Sequence, residues 1–416
     1  MTEADTRPTQ RIGIGTAVSS LRGNRNFQLL WTSNLFFFGG VWTQTLVLGW
    51  MAFEMTGSEF LVALFTAVRL APLLLGPIAG ALTDRFDKVR LLLVACGWAT
   101  TAIAVVSFLA SFGMLSYWVL VAGGLAIGLA QSPSQTARAS LALELVGTAN
   151  LSNANALNSL AMNMTQVVGP AIGGAMIAGL GAPAALWVST AWYAISFALL
   201  LLPLRSIPHV AHAEPESVLR MLVSGFRLIG GNRLAVCVLM VTVVANTFLW
   251  PVYQSFMPVF ADQRFGLDAD GLGVMLSCSG IGGLIGSVVI ASLGDFRNKG
   301  ALFVFGTMVW GALWAVFAML TSPPAGFLVL AIAGFASAAF GVLQTTLLLI
   351  VTAKPLHGRV LGLQELAIGM IPIGSLLLGV LAQTFGVAVV TFWAAVLLVL
   401  SVGIVAVRTP SVLRIR

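Results

Sequence analysis

Twelve apolar stretches, each long enough to cross a bilayer as a helix, are what most restricts the folding of this 416-residue chain. They fall at about 28–52, 58–82, 89–111, 116–142, 150–180, 183–204, 234–260, 271–294, 300–320, 325–351, 359–385 and 386–407. A hydrocarbon core of about 30 Å needs about 20 helical residues per crossing. Charged residues make up 8% of the chain, where a soluble domain carries about 25%. A polar-surfaced enzyme is thereby excluded, and the expected fold is an all-α membrane protein of twelve transmembrane helices.

The longest interruption, Arg205 to Arg233, divides the stretches six and six. The expected organisation is an N-terminal segment (1–27), a six-helix bundle (28–204), a linker with a short surface helix (205–233), a second bundle (234–407) and a tail (408–416). Lys and Arg favour the cytoplasmic side of a membrane. With both termini inside, 19 of the 21 basic residues lie in cytoplasmic segments; the exceptions are Arg264, outside, and Arg69, within a span. The outer loops instead carry Glu54, Glu59, Asp262, Asp268 and Asp270. The net charge of +7 is therefore topological, spread over many loops, and does not form a nucleic-acid surface. The first 27 residues lack the apolar core of a cleavable leader, so the first helix is expected to be its own insertion signal.

Catalytic chemistry has no visible carrier. Cys96, Cys237 and Cys278 are dispersed within spans and read as packing residues. His209, His212 and His357 lie in loops, and neither a nucleophile constellation nor a Gly-x-x-x-x-Gly-Lys-Ser/Thr loop is present. No metal or cofactor is expected; the proton gradient is the expected energy source.

The halves repeat one another. GALTDRFDKVR (Gly80 to Arg90) follows the second stretch, and ASLGDFRNKG (Ala291 to Gly300), with Asp295 and Arg297, follows the eighth. VVGPAIGG in the fifth stretch is echoed by MIPIGS in the eleventh. The pattern Gly80, Asp84, Arg85, Lys88, Arg90 resembles the loop signature of the major facilitator superfamily, departing from it with Asp87 where a Gly is usual and with Val89 within the basic run. Gly169, Pro170, Gly173 and Gly174 resemble the end of a drug/proton antiporter motif, although Ala156 and Thr165 replace its upstream glycines. The runs ANLSNANALNSLAMN, SPSQTAR and HGRVLGL are most similar to the bacterial branch of enterobactin and macrolide exporters. The resemblance implies two six-helix pseudo-repeats rocking about a midplane site, in the inner membrane, with the protein acting as a monomer. It also implies a cytoplasmic latch of Asp84, Lys88 and Glu144, with Arg138 able to contact Asp84 and Arg359 opening helix 11.

Two charges sit where the bilayer penalises them. Arg69 lies 15 residues before Asp84, roughly 22 Å above that boundary. An arginine at such depth costs about 2.5–3.5 kcal/mol or more unless it faces a partner or water. It is read either as a structural contact or as a group for an anionic substrate or a carboxylate. Glu365, six residues past Arg359, is roughly 9 Å inside the boundary, and is either a proton-coupling group or a residue that snorkels to the cytoplasmic face or bonds Arg359. The depth difference, about 13 Å, argues against a direct pair. Cavity contacts are expected from Asn34, Trp42 and Gln44, from Gln131 and Gln135, from Asn246, Trp250 and Tyr253, and from Gln344 and Thr345. Uncharged amides and aromatic rings suit amphipathic ligands. LFFFGG (Leu35 to Gly40) reads as lipid-facing or packing surface. The expected function is export of an amphipathic small molecule, siderophore or drug-like, in exchange for protons. Nutrient uptake and lipid flipping are the alternatives.

Overall fold

The computed structural model describes residues 24–76, 86–201, 231–293, 296–353 and 356–415. Helix α1 spans Arg25–Thr56, and α2 spans Glu59–Leu70 before tightening into a 3-10 segment, Ala71–Leu75, where Pro72 removes a backbone donor. Helix α3 is Lys88–Ser111. The run Tyr117–Leu180 is divided by Gly147, whose φ of 70° suits only a residue without a Cβ, into α4 (117–146) and α5 (148–180). Then follow α6 (Ala182–Leu201), α7 (Arg233–Arg264), α8 (Ala269–Ser292), α9 (Lys299–Met319), α10 (Pro323–Val351), α11 (His357–Ile368 and Ile371–Phe385) and α12 (Val387–Arg408). Ten helices among the described residues are long and apolar enough to cross a membrane.

The helices run alternately between two ends of the molecule. One, here the basic end, carries Arg25, Lys88, Arg233, Arg297, Lys299 and Arg408; the other, the acidic end, carries Glu54, Glu59, Asp262, Asp268 and Asp270. Helices α1 to α6 pack chiefly on one another, as do α7 to α12; α5 meets α8 and α2 meets α11 across the two groups, with α7 also touching α1 and α2. LFFFGG is packing surface: Phe37 is buried edge-on against Tyr193, at 5.4 Å between centroids, and Phe36 lies 5.2 Å from Trp192.

The structure adds a repeat that the sequence reading missed. Asn24 caps α1 by accepting from Phe27 N at 3.0 Å while its Nδ2 donates to Leu145 O, near the end of α4. Asn232 caps α7 by accepting from Ala235 N at 3.2 Å while its Nδ2 donates to Val351 O, at the end of α10. Both follow a glycine and precede an arginine, in GNR at 23–25 and at 231–233. One side chain thus satisfies an orphan donor of the first helix and an orphan acceptor of the fourth in each half.

Two helices depart from regular geometry. Helix α7 is not regular: Val252–Phe256 and Phe260–Arg264 are π-helical turns. Helix α11 is interrupted at Gly369 and Met370, just before Pro372. The linker helix expected within 205–233 lies almost entirely outside the described residues, as do Gly80, Asp84, Arg85 and Asp295.

Candidate functional site

Arg69, Thr45 and Gln254 come from three helices and meet at one depth. They stand 10, 11 and 10 residues from Glu59, Thr56 and Arg264 at the acidic end, hence each about 15 Å in, halfway through a core of about 30 Å. Arg69 is 2% exposed; its Nη1 donates to Thr45 Oγ1 at 2.8 Å, and its Nη2 to Gln254 Oε1 at a long 3.4 Å. Its Nε is buried without a partner, and no carboxylate neutralises it among the described residues. Gly128 of α4 lets that helix approach the Arg69 carbonyl closely.

Local chemistry explains why Gln254 can reach across. Pro258 lacks the N–H that would bond the Gln254 carbonyl four residues back, and a π turn forms at Val252–Phe256. The freed carbonyl instead accepts from Thr66 Oγ1 of α2 at 3.5 Å. Gln254, Thr45 and Thr66 escaped the sequence reading; the signal was the Pro251/Pro258 pair framing a polar residue.

Aromatic rings build one wall. Trp42 and Trp250 are equivalent in the repeat, each 18 residues beyond its capping asparagine (42 − 24 and 250 − 232). Both meet Tyr253 edge-on, at 6.3 and 5.8 Å between centroids. Trp310 lies 6.1 Å from Trp250 and Trp314 6.5 Å from Tyr253, bringing in α9, which the sequence reading did not include. Gln166 of α5 donates to the Tyr253 hydroxyl at 3.4 Å. Trp42 Nε1 and both amide atoms of Gln44 are buried without hydrogen-bond partners. A buried polar atom left unpaired costs about 1–3 kcal/mol, so the layer holds unspent hydrogen-bonding capacity.

The other expected cavity residues are dispersed. Asn34 is corrected to the interior of the first half, where it donates to Asn158 Oδ1 at 2.9 Å and accepts from Arg138. Asn246 is 2% exposed and donates to Thr242 O of its own helix. Gln131 is half-buried and Gln135 exposed. Thr345 accepts from Gln364 Nε2 at 2.7 Å, while Gln344 Oε1 and Gln364 Oε1 are unpaired. Glu365 is exposed and abuts Gly76, where a Cβ would lie 3.6 Å from its own. Gly76 is seven residues, about 10 Å, beyond Arg69 on the same chain segment. Arg69 and Glu365 make no direct pair.

At the basic end Lys88 pairs with Glu144, joining the start of α3 to the end of α4. Asp87 is the α3 cap, its Oδ1 accepting from Arg90 N at 2.7 Å. Arg297 is exposed; Arg359 is half-buried and engaged. Arg138 is corrected: it does not stand at the loop but inside the first half, 3% exposed and eight residues from the end of α4, hence about 12 Å in. It donates to Ser33 Oγ, Asn34 Oδ1, Cys96 Sγ and Ser196 Oγ and lies 4.4 Å from the Phe37 ring centroid. It therefore ties α4 to α1, α3 and α6, and Cys96 is an acceptor as well as a packing residue.

The α5 motif residues stand at the seams. Gly169 and Gly173 pack on Trp42, Thr43 and Leu46 of α1, with Thr43 Oγ1 donating to Gly169 O at 3.1 Å. Gly174 meets the α8 backbone at Ala269 and Gly273. Pro170, by lacking an N–H, frees the Gln166 carbonyl, which faces Gly280 of α8. Ser277 Oγ donates to Val167 O at 2.9 Å. These contacts, with Gly379 of α11 against Ala63 of α2, join the halves from the middle to the acidic end.

Comparison with known proteins agrees with this architecture. A family profile described as transmembrane secretion effector matches residues 16–412. The chain is similar to the multidrug efflux pump Tap of Mycolicibacterium fortuitum, with 29% identity over 87% of this chain and 90% of the pump. It is also similar to the enterobactin exporter EntS of Shigella boydii serotype 4, with 28% identity over 74% of this chain and 73% of that protein. A crystal structure of a POT family transporter superposes with a TM-score of 0.76 at 11% identity, covering 93% of this chain and 96% of that one, which speaks for the fold alone. The chain belongs to the transmembrane secretion effector family of the major facilitator superfamily, and is a multi-pass membrane transporter rather than an enzyme.

Proposed function

We propose that this transporter exports an amphipathic small molecule, drug-like or siderophore-like, from the cytoplasm in exchange for protons. The observation that carries this reading is the mid-depth layer of unpaired polar atoms on Trp42, Gln44 and Arg69, set beside the aromatic wall of Trp250, Tyr253, Trp310 and Trp314. Rings accept flat apolar surface, and the unpaired donors orient a polar edge within it. The similarity to Tap and EntS supports export of such compounds.

The accompanying topology is twelve spans in two bundles, 28–204 and 234–407, with both termini and the 205–233 linker cytoplasmic. The basic end then faces the cytoplasm of a bacterial inner membrane. Contacts between the halves concentrate toward the acidic end, so rocking would part α5 from α8 and α2 from α11 there while the basic end closes. Lys88 with Glu144 belongs to that basic-end machinery, and Glu365 is assigned the proton. The substrate site needs no cofactor, and one copy of the chain supplies all of it.

Everted membrane vesicles from cells expressing the chain test this. Acidifying the vesicle interior is expected to drive accumulation of ethidium or a catecholate siderophore, and nigericin to abolish it. Accumulation only in right-side-out vesicles would make the protein an importer. Redistribution of labelled lipid without movement of any soluble probe would make it a flippase.

A further inference from the structure

We propose that Arg69 is the anion-recognition group of the transport site, and that an anionic group on the substrate, such as a carboxylate or phenolate, takes the place of Gln254 on its guanidinium and so unties the two halves. This rests on the exporter reading above and names the substrate class for that site.

In a guanidinium, Nε and Nη2 form one side-on edge, the pair that grips a carboxylate through two parallel hydrogen bonds. On Arg69 that edge is the unfinished one. Nη1 is committed to Thr45 at 2.8 Å, whereas Nε has no partner and Nη2 has only the 3.4 Å contact to Gln254. A neutral amide at that distance does little for a cation that is 2% exposed with no acidic residue beside it among the described residues. An anion seated on the edge would supply the missing charge and the missing acceptor together. It has a second donor near: Trp42 lies one turn from Thr45 on the same face of α1, its Nε1 is unpaired, and its ring contacts Tyr253, the neighbour of Gln254.

The position of Gln254 turns recognition into a trigger. It belongs to α7, while Arg69 and Thr45 belong to the first half, and its backbone oxygen is also held by Thr66 of α2. The Arg69 to Gln254 bond is thus a direct polar tie between halves at mid-depth. An anion that occupies Nε and Nη2 displaces the amide oxygen, leaving the weak 3.5 Å contact from Thr66 to hold Gln254 to α2. Substrate occupancy and release of the halves are then one event. Uncharged analogues leave the tie in place.

The test uses the purified full-length protein and a matched pair of fluorescent probes, 1-pyrenebutyrate and its methyl ester, followed by energy transfer from the protein's tryptophans. Wild type is expected to bind the carboxylate at least tenfold more tightly than the ester, the scale of one charge-assisted bidentate contact. Arg69→Gln should bring the two affinities within about twofold of each other, chiefly by weakening the carboxylate, and Arg69→Lys should keep a smaller preference because the fork is lost but the charge is not. Gln254→Ala should retain the preference and bind the carboxylate more tightly than wild type, since the competitor is gone. A merely structural Arg69 would make Arg69→Gln weaken both probes alike, which overturns the proposal. So does a wild type with no preference, whether it binds both probes or neither, and so does a Gln254→Ala protein that loses the carboxylate. Vesicles separate this from the exporter reading: outward movement of an uncharged or cationic drug without the anion refutes the anion site and leaves export standing.

Discussion

Gly273 of α8 offers the sharpest handle on how the halves move. A Cβ there would lie 2.8 Å from the carbonyl oxygen of Pro170 and 3.2 Å from Gly174 Cα, both backbone atoms of α5 that no side-chain rotation can clear. Ordinary contact begins near 3.4 Å, so the helices must part by roughly 3.4 − 2.8, or 0.6 Å. Overpacking of this kind costs about 1–3 kcal/mol, levied only on the state in which α5 and α8 meet. The population of the parted state should therefore rise about 5- to 150-fold. Gly179 of α5 is the control, since a Cβ on it meets nothing within 4 Å. The readout is a cysteine at Ser277, a near-isosteric change at a residue 9% exposed on the α5-facing side of α8, in a background with Cys96, Cys237 and Cys278 replaced. A membrane-impermeant maleimide applied from the acidic end should label it at least fivefold faster in Gly273→Ala and at an unchanged rate in Gly179→Ala. Equal labelling in wild type and Gly273→Ala would show that the seam is not the surface that opens.

Arg138→Met should lower the thermal midpoint of the purified protein markedly, by loss of about 3 kcal/mol or more, because several buried acceptors lose their donor; Arg138→Lys should not restore it, as one ammonium cannot span Ser33, Asn34, Cys96 and Ser196. Lys88→Ala should cost no more than about 1 kcal/mol of stability in a denaturant titration, since both side chains are partly exposed, while slowing transport; exchange of the pair as Lys88→Glu with Glu144→Lys should recover most of the rate. Trp310→Ala and Trp314→Ala should each weaken binding of an aromatic drug in a fluorescence titration by about tenfold, from loss of ring surface. Asn24→Ala and Asn232→Ala, equivalent in the repeat, should destabilise by similar amounts of about 1 kcal/mol each, read as matched shifts in thermal midpoint.

Much of the fold could be read along the chain because a bilayer leaves little choice: apolar length sets the helices, and Lys/Arg placement marks one end. Arg69 was legible for the same reason, as a charge too costly to be incidental. Its partners were not. Thr45 is one of many threonines until α2 is packed on α1, and Gln254 reaches across only because two prolines break the regularity of α7, a consequence that periodicity does not carry. Asn34 and Arg138 looked like a cavity amide and a loop cation because depth along a helix fixes neither the face nor the neighbours; packed, they satisfy each other inside one bundle. Trp310 and Trp314 were overlooked because the helices taken to line a cavity excluded α9, whereas aromatic side chains are long enough to reach the site from behind.

Whether the mid-depth site is driven by protons through Glu365 is decided most directly in proteoliposomes holding the purified protein as wild type or Glu365→Gln. Substrate flux is measured twice, under an imposed pH gradient and as counterflow at equal pH. Proton coupling through Glu365 predicts that wild type does both, and that Glu365→Gln keeps counterflow within about twofold of wild type while losing gradient-driven accumulation. Unimpaired gradient-driven accumulation in Glu365→Gln would contradict it.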